Sequence, residues 1–114
     1  MQYSQKDKSL YIRLEGELDH HSVQGIRLKI DRAFEPTDCR NMIFDFSGVT
    51  FMDSSGIGMI IGRYKNATKR GGAVAIASMR PEIDRIFQIS GLAKIIDSYA
   101  STHEAEAALG VKPL

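Results

Sequence analysis

The chain is poor in the residues that most often signal a special environment. Among 114 residues it has one cysteine, no tryptophan and three prolines. The lone Cys39 has no internal disulfide partner, so the core must hold by burial alone, and a reducing cytoplasm is the expected home. Fifteen basic residues stand against fourteen acidic ones, a net charge of +1. That balance lacks the basic excess that nucleic-acid binding draws on. No apolar run approaches the ~18–20 residues that span a bilayer. The opening MQYSQKDKSL has no apolar h-region, so no secretory signal is expected there. His20 and His21 are adjacent, and neighbours on a helix point about 100° apart, which makes no two-ligand metal face. There is no G-x-x-x-x-G-K-[ST] loop for nucleotide hydrolysis. Nor does a glycine stand two residues before Ser54 or Ser55, as a hydrolase nucleophile elbow requires. No catalytic residue, metal or cofactor is therefore expected. What is present, 43% hydrophobic residues, suits one domain over 1–114 that buries roughly 65% of its unfolded surface.

Periodicity sets out the elements. Leu10, Ile12 and Leu14 alternate with Tyr11, Arg13 and Glu15, the signature of a strand with one buried face. Gln2 to Gln5 pairs with it as an edge strand through a turn over 6–9. Asp19 is placed to cap a helix in which Val23, Ile26, Ile30, Ala33 and Phe34 recur at helical spacing until Pro36 stops it. Met42 to Phe46 is almost continuously apolar, as in a central strand covered on both faces. A helix is expected from Ser54 to Arg70, closed by Gly71-Gly72. Ala73 to Ala77 reads as a buried strand, and Pro81 opens a short helix ending at Ser90-Gly91. Ile95-Ile96 reads as a short strand, and Ser101-x-x-Glu104 is a capping box for a last helix through Leu109. The order β-β-α-β-α-β-α-β-α predicts an α/β fold with a mostly parallel sheet under helical cover, joined by right-handed crossovers.

The most informative stretch is Phe51-Met52-Asp53-Ser54-Ser55-Gly56-Ile57-Gly58, where strand passes into helix. On a helical wheel Ile57, Ile60, Ile61, Tyr64 and Ala67 gather as a core face. Opposite them lie Ser55, Gly58, Met59, Gly62 and Asn66, flanked by Arg63, Lys65, Lys69 and Arg70. Glycines four apart cost about 1 kcal/mol each relative to alanine inside a helix. One explanation is that they let a partner's backbone approach closely, with Met59 as an adaptable apolar contact. The other is that this face packs inside the domain. Ser54 has two readings as well: an N-cap hydroxyl, or a phosphoacceptor whose phosphate the helix dipole would welcome. Asp53 could supply the cap instead.

This stretch resembles the phosphorylation-site motif of bacterial anti-sigma factor antagonists, which are single STAS domains. Gly62-Arg63-Tyr64-Lys65 extends the resemblance, as do Pro81 to Phe87 and Ser90-Gly91-Leu92. Gly16-Glu17-Leu18-Asp19-His20-His21 is similar to the sporulation branch of that family, whose antagonists act on the anti-sigma F factor. The resemblance implies that Ser54, directly after the motif aspartate, is the phosphoacceptor. It implies partner switching: the unphosphorylated antagonist binds an anti-sigma factor that is also an ATP-dependent serine kinase, and frees the sigma factor. Phosphorylation releases the antagonist, and a metal-dependent phosphatase of the PP2C type restores it. The antagonist itself would be no enzyme, with neither a nucleic acid nor a membrane as partner. Asp53, Ser55, Gly58, Met59, Gly62, Arg63 and Asp19 are the residues expected to meet the kinase. The alternatives are the general stress-response branch and a STAS module that binds a nucleotide or small molecule.

Overall fold

The computed structural model describes residues 1–110. Its elements are β1 (Gln2–Lys6), β2 (Ser9–Leu18), α1 (Val23–Phe34), β3 (Asn41–Met52), α2 (Ser54–Lys69), β4 (Val74–Ala77), α3 (Pro81–Ser90), β5 (Asp97–Tyr99) and α4 (Thr102–Ala108). The five strands form one sheet in the order β1-β2-β3-β4-β5. Only the β1–β2 hairpin is antiparallel, and the other three pairs are parallel. The expected element order holds throughout.

Strand alternation divides the side chains between two cores. Leu10, Ile12, Leu14, Met42, Phe44 and Phe46 face α1, α2 and α3, where Ile30, Phe34, Ile60, Ala67, Ile83 and Phe87 meet them. Ile43 and Ala75 point the other way and pack on Ala105 of α4, with Tyr11, Tyr99 and Leu109 around them. The continuous apolar run at the start of β3 follows from this, because its residues have cover on both sides.

One expected strand is displaced. Ile95-Ile96 does not form β5, which runs over Asp97–Tyr99 instead. Gly91 ends α3 in the left-handed conformation, and a 3-10 turn over Leu92–Lys94 follows. The N–H groups of Ile95 and Ile96 both donate to the Leu92 carbonyl, so they are spent on the turn. Ile96 still buries its side chain, which is why its apolar pattern resembled a strand. The capping box at α4 is also modified. Ser101 Oγ accepts from the Glu104 N–H, but the Glu104 carboxylate reaches the N–H of Ala100 instead of Ser101.

The strands differ in length at one end of the sheet. β4 pairs with β3 only as far as Asp45↔Ala77, while β2 stays paired with β3 to Leu18↔Met52. Beyond Asp45 the β4-side edge of β3 therefore has no strand neighbour. Its first exposed residue there is Ser47, whose N–H donates to Asp45 Oδ1 and whose carbonyl accepts from Arg80 Nε.

Arg70, expected among the charges flanking an exposed helix face, is structural. Its Nη1 donates to the carbonyls of Phe34, Thr37 and Cys39, and its Nη2 to that of Glu35. The guanidinium also lies 4.0 Å from the centroid of the Phe34 ring, a cation–π geometry. It thus closes the carbonyl end of α1 and holds the turn into β3. Hydrogen bonds from a charged donor are worth about 1.5–3 kcal/mol each before losses. Arg70→Gln should lower stability by about 2–3 kcal/mol in urea unfolding followed by circular dichroism.

Candidate functional site

Asp53 caps α2. It sits in extended backbone, and its carboxylate accepts from the N–H of Ser55 at 2.8 Å and of Gly56 at 3.3 Å. This settles which side chain does the capping: Asp53 carries it and Ser54 is not needed for it. Ser54, the first residue of the helix, is exposed, whereas Ser55 is half-buried.

The register of β2 on β3 places a second acidic residue at the same end of the sheet. Leu18 opposes Met52, and the Leu18 carbonyl accepts the Asp53 N–H at 3.3 Å. Asp19 follows immediately. Its Oδ1 accepts from the N–H groups of Ser22 and His21, capping the turn that leads into α1. The Ser22 N–H is the largest influence holding the Asp19 carboxyl below its ordinary pKa, with further help from the Ser22 hydroxyl, the His21 N–H and the His21 charge. Asp19, Asp53, Ser54 and Ser55 are thereby brought to one end of the molecule, a proximity that depends on strand pairing and is invisible along the chain.

The expected docking face needs correcting. Met59 and Arg63 are 5% exposed each and cannot belong to an open surface. The buried stripe of α2 is Gly56, Met59, Ile60, Arg63 and Ala67, turned roughly a quarter of a revolution from the stripe read off the wheel. The cause is Gly56. A Cβ there would lie 2.7 Å from the Leu18 carbonyl oxygen and 2.7 Å from Met52 Cγ. Only glycine lets the helix start so close to the strand ends, so the helix rolls this side inward and Met59 and Arg63 follow. Arg63 Nε approaches Asp31 Oδ1 of α1 at 3.2 Å. Burial lowers the Arg63 pKa, with Asp31 opposing and Arg27 adding to that effect.

The rolled helix presents a different outer stripe. Ser54, Gly58 and Lys65 are exposed, with Ile61 and Gly62 half-buried between them, at the i, i+4, i+7, i+8, i+11 spacing of one face. A Cβ added at Gly58 or Gly62 would meet nothing within 4 Å, so no packing inside the domain requires either glycine. Lys65 lies on the outer side as expected, and Ile61, read as part of the core face, packs against the core while keeping one edge open; the wheel alone has no fixed zero angle. Gly56 supplies that angle once its neighbour is known.

Among the described residues there is no group of three or more His, Cys, Asp or Glu placed to hold a metal ion, and no helix is long and apolar enough to cross a membrane. The STAS domain profile matches residues 1–105. The chain belongs to the STAS family. An anti-sigma F factor antagonist of Paenibacillus polymyxa is 40% identical over 90 residues, which are 79% of this chain and 77% of the relative. An anti-sigma-B factor antagonist of Bacillus subtilis is 31% identical over 99 residues, 86% of this chain and 88% of the relative. Among solved structures, the anti-sigma factor antagonist SpoIIAA in its unphosphorylated form superimposes with a TM-score of 0.81 at 31% identity, covering 98% of both chains. SpoIIAA in the phosphorylated form, described as a Bacillus cell fate determinant, gives a TM-score of 0.71 at 34% identity over 94% of this chain and 96% of that one. The STAS fold here thus carries its Asp53-Ser54 pair at the start of the helix that follows the central strand.

Proposed function

We propose that this STAS domain is an anti-sigma factor antagonist that works by binding and is switched by phosphorylation of Ser54. The carrying observation is the exposed Ser54 at the start of a helix whose cap is already supplied by Asp53. A phosphate there meets the positive end of the helix dipole, so the fold tolerates it. It also adds about −1.5 to −2 charges beside the Asp53 and Asp19 carboxylates. In the unphosphorylated state the Ser54–Gly58–Gly62 face docks on the anti-sigma factor, a serine kinase that uses ATP, and the sigma factor is freed. Phosphorylation makes that face repel its partner, and a PP2C-type phosphatase restores it. The cycle belongs to the cytoplasm and asks no catalysis of this chain.

The higher identity to an anti-sigma F antagonist than to an anti-sigma-B antagonist favours the sporulation branch over general stress. The test is to incubate the chain with ATP and the anti-sigma factor from its own genome and map phosphate by peptide mass spectrometry. Phosphate on Ser54, abolished in Ser54→Ala, is the expected result. No phosphate, or phosphate confined to another residue, overturns the switch.

The two outer glycines provide a separate prediction. Gly58→Ala and Gly62→Ala have room for their methyl groups and should each stabilise the domain by about 1 kcal/mol, read as a rise in thermal midpoint. If the partner's backbone comes close at this face, the same variants lose affinity in calorimetric titration with the anti-sigma factor. Gain of stability with unchanged affinity would remove the glycines from the docking face.

A further inference from the structure

The sheet face opposite α2 is only partly covered. With seven residues, α4 is about 10 Å long, and it packs over Ile43 of β3 and Ala75 of β4. It reaches the hairpin side through Tyr11, which packs beside Ala105, and through the ion pair of Glu106 with Lys6, at 3.9 Å. Between the α4 N-terminus and the β1–β2 hairpin lies an open cavity of about 330 Å³. That volume is at the lower end of ligand pockets, about 300–1,000 Å³, and it restricts any occupant to a small molecule.

Its lining is built from opposites. Tyr11 contributes apolar surface, Ser4 and Thr102 are among the polar residues lining it, and Ile43 lies beneath, 1% exposed. Arg13 and Asp45 also line it and are register partners on neighbouring strands. They nevertheless form no ion pair with each other: Arg13 Nε leans to Glu15 at 3.8 Å, and Asp45 Oδ1 takes the Ser47 N–H. A cation and an anion therefore face one cavity from backbones about 4.8 Å apart. The Tyr11 hydroxyl is buried and lies beside the Glu106 carboxylate. Burial and then the nearby Glu106 carboxylate push its pKa up, so it remains a donor.

We propose that this cavity binds a free α-amino acid, its carboxylate on Arg13, its ammonium on Asp45 and its side chain beside Tyr11. A zwitterion meets both charges at once, on the scale set by adjacent strands, in exchange for the long, exposed Arg13–Glu15 contact. A simple anion leaves Asp45 opposing it, and a simple cation meets Arg13. The site lies across the sheet from Ser54 and does not depend on the switch proposed there.

The experiment is a thermal-shift screen of the whole chain against the common amino acids at millimolar concentration, followed by calorimetric titration of any that raise the midpoint. The expected result is that at least one amino acid binds, while its des-amino acid and its decarboxylated amine do not. Arg13→Gln and Asp45→Asn should each weaken binding about tenfold to a hundredfold, the loss of one charge-assisted hydrogen bond. No midpoint shift with any amino acid overturns the proposal. So does binding of the des-amino or decarboxylated analogue as tight as that of the amino acid, or affinity unchanged in both variants. The analogue comparison uses the unaltered protein and remains decisive even if a variant fails to fold.

Discussion

Ser54→Asp should weaken binding to the anti-sigma factor by roughly two orders of magnitude while leaving the circular dichroism spectrum unchanged. Asp53 already holds the first N–H groups of α2, so a second carboxylate at the exposed Ser54 has no cap to disturb and gains slightly from the helix dipole. Its cost falls on the partner. Burying like charges against one another across an interface costs several kcal/mol, and about 3 kcal/mol suffices for a hundredfold loss. Ser54→Ala should bind as the unmodified protein does, because it removes a hydroxyl that the fold does not use. The measurement is calorimetric titration of both variants with the anti-sigma factor, alongside their unfolding curves. Equal affinity of Ser54→Asp and the parent protein would refute electrostatic repulsion as the release mechanism. A loss of affinity in Ser54→Ala would make the hydroxyl a direct contact.

Gly72→Ala should be far more damaging, in stability and not in binding. A Cβ at this position would stand 1.8 Å from the Arg40 carbonyl oxygen and 2.3 Å from its carbon. Both are backbone atoms, and they precede β3, whose Met42 N–H donates to the Ala73 carbonyl next to Gly72. Relief of the clash therefore requires separating the starts of β3 and β4 in the middle of the sheet. A penalty of about 3 kcal/mol or more is expected for such forced overpacking, which for a domain of this size is roughly 10–20 °C in thermal midpoint. Differential scanning calorimetry reads it directly. A midpoint within a few degrees of the parent would mean that the two strands separate more easily than their pairing suggests. Gly71→Ala is a useful companion, since Gly71 has φ +76° but open space around it. It carries conformational strain without the clash, so its loss should be smaller, about 1 kcal/mol.

These two glycines mark where the sequence is readable. Gly71-Gly72 is legible as a helix stop because the stop is local: α2 ends and a left-handed residue follows. That Gly72 also has a backbone atom pressed against it is not local, since Arg40 is distant in sequence. The same division runs through the rest of the domain. Strand alternation at Leu10, Ile12 and Leu14, the double-sided run at Met42 to Phe46, and Pro81 at the head of α3 all express nearest-neighbour chemistry and read correctly. The orientation of α2 does not, because it is set by Gly56 meeting Leu18 from another strand. With that contact unknown, the wheel places Met59 and Arg63 on the outer docking side, where the structure buries them, while Ile61 packs against the core as read. Asp19 and Asp53 could be nominated separately, but their meeting required the register of β2 on β3. Ile95-Ile96 failed for a related reason: burial was legible, and the turn that consumes their N–H groups was not.

The unequal strand lengths have a further consequence, for solubility. Where β3 outruns β4, it offers a row of unpaired main-chain groups to any other extended chain, and such edges are where proteins begin to aggregate. The first rung of that row is already taken. Asp45 and Arg80 hold the N–H and carbonyl of Ser47 as a foreign strand would, but with side chains that cannot be extended into a ladder. Beyond this rung, Val49 and Met52 are buried and Phe51 alone is a large apolar side chain left exposed, so the segment offers no continuous apolar stripe for the grip between sheets on which stable fibrils depend. The arm that displays Ser54 to its partner is thus kept from recruiting further copies of itself.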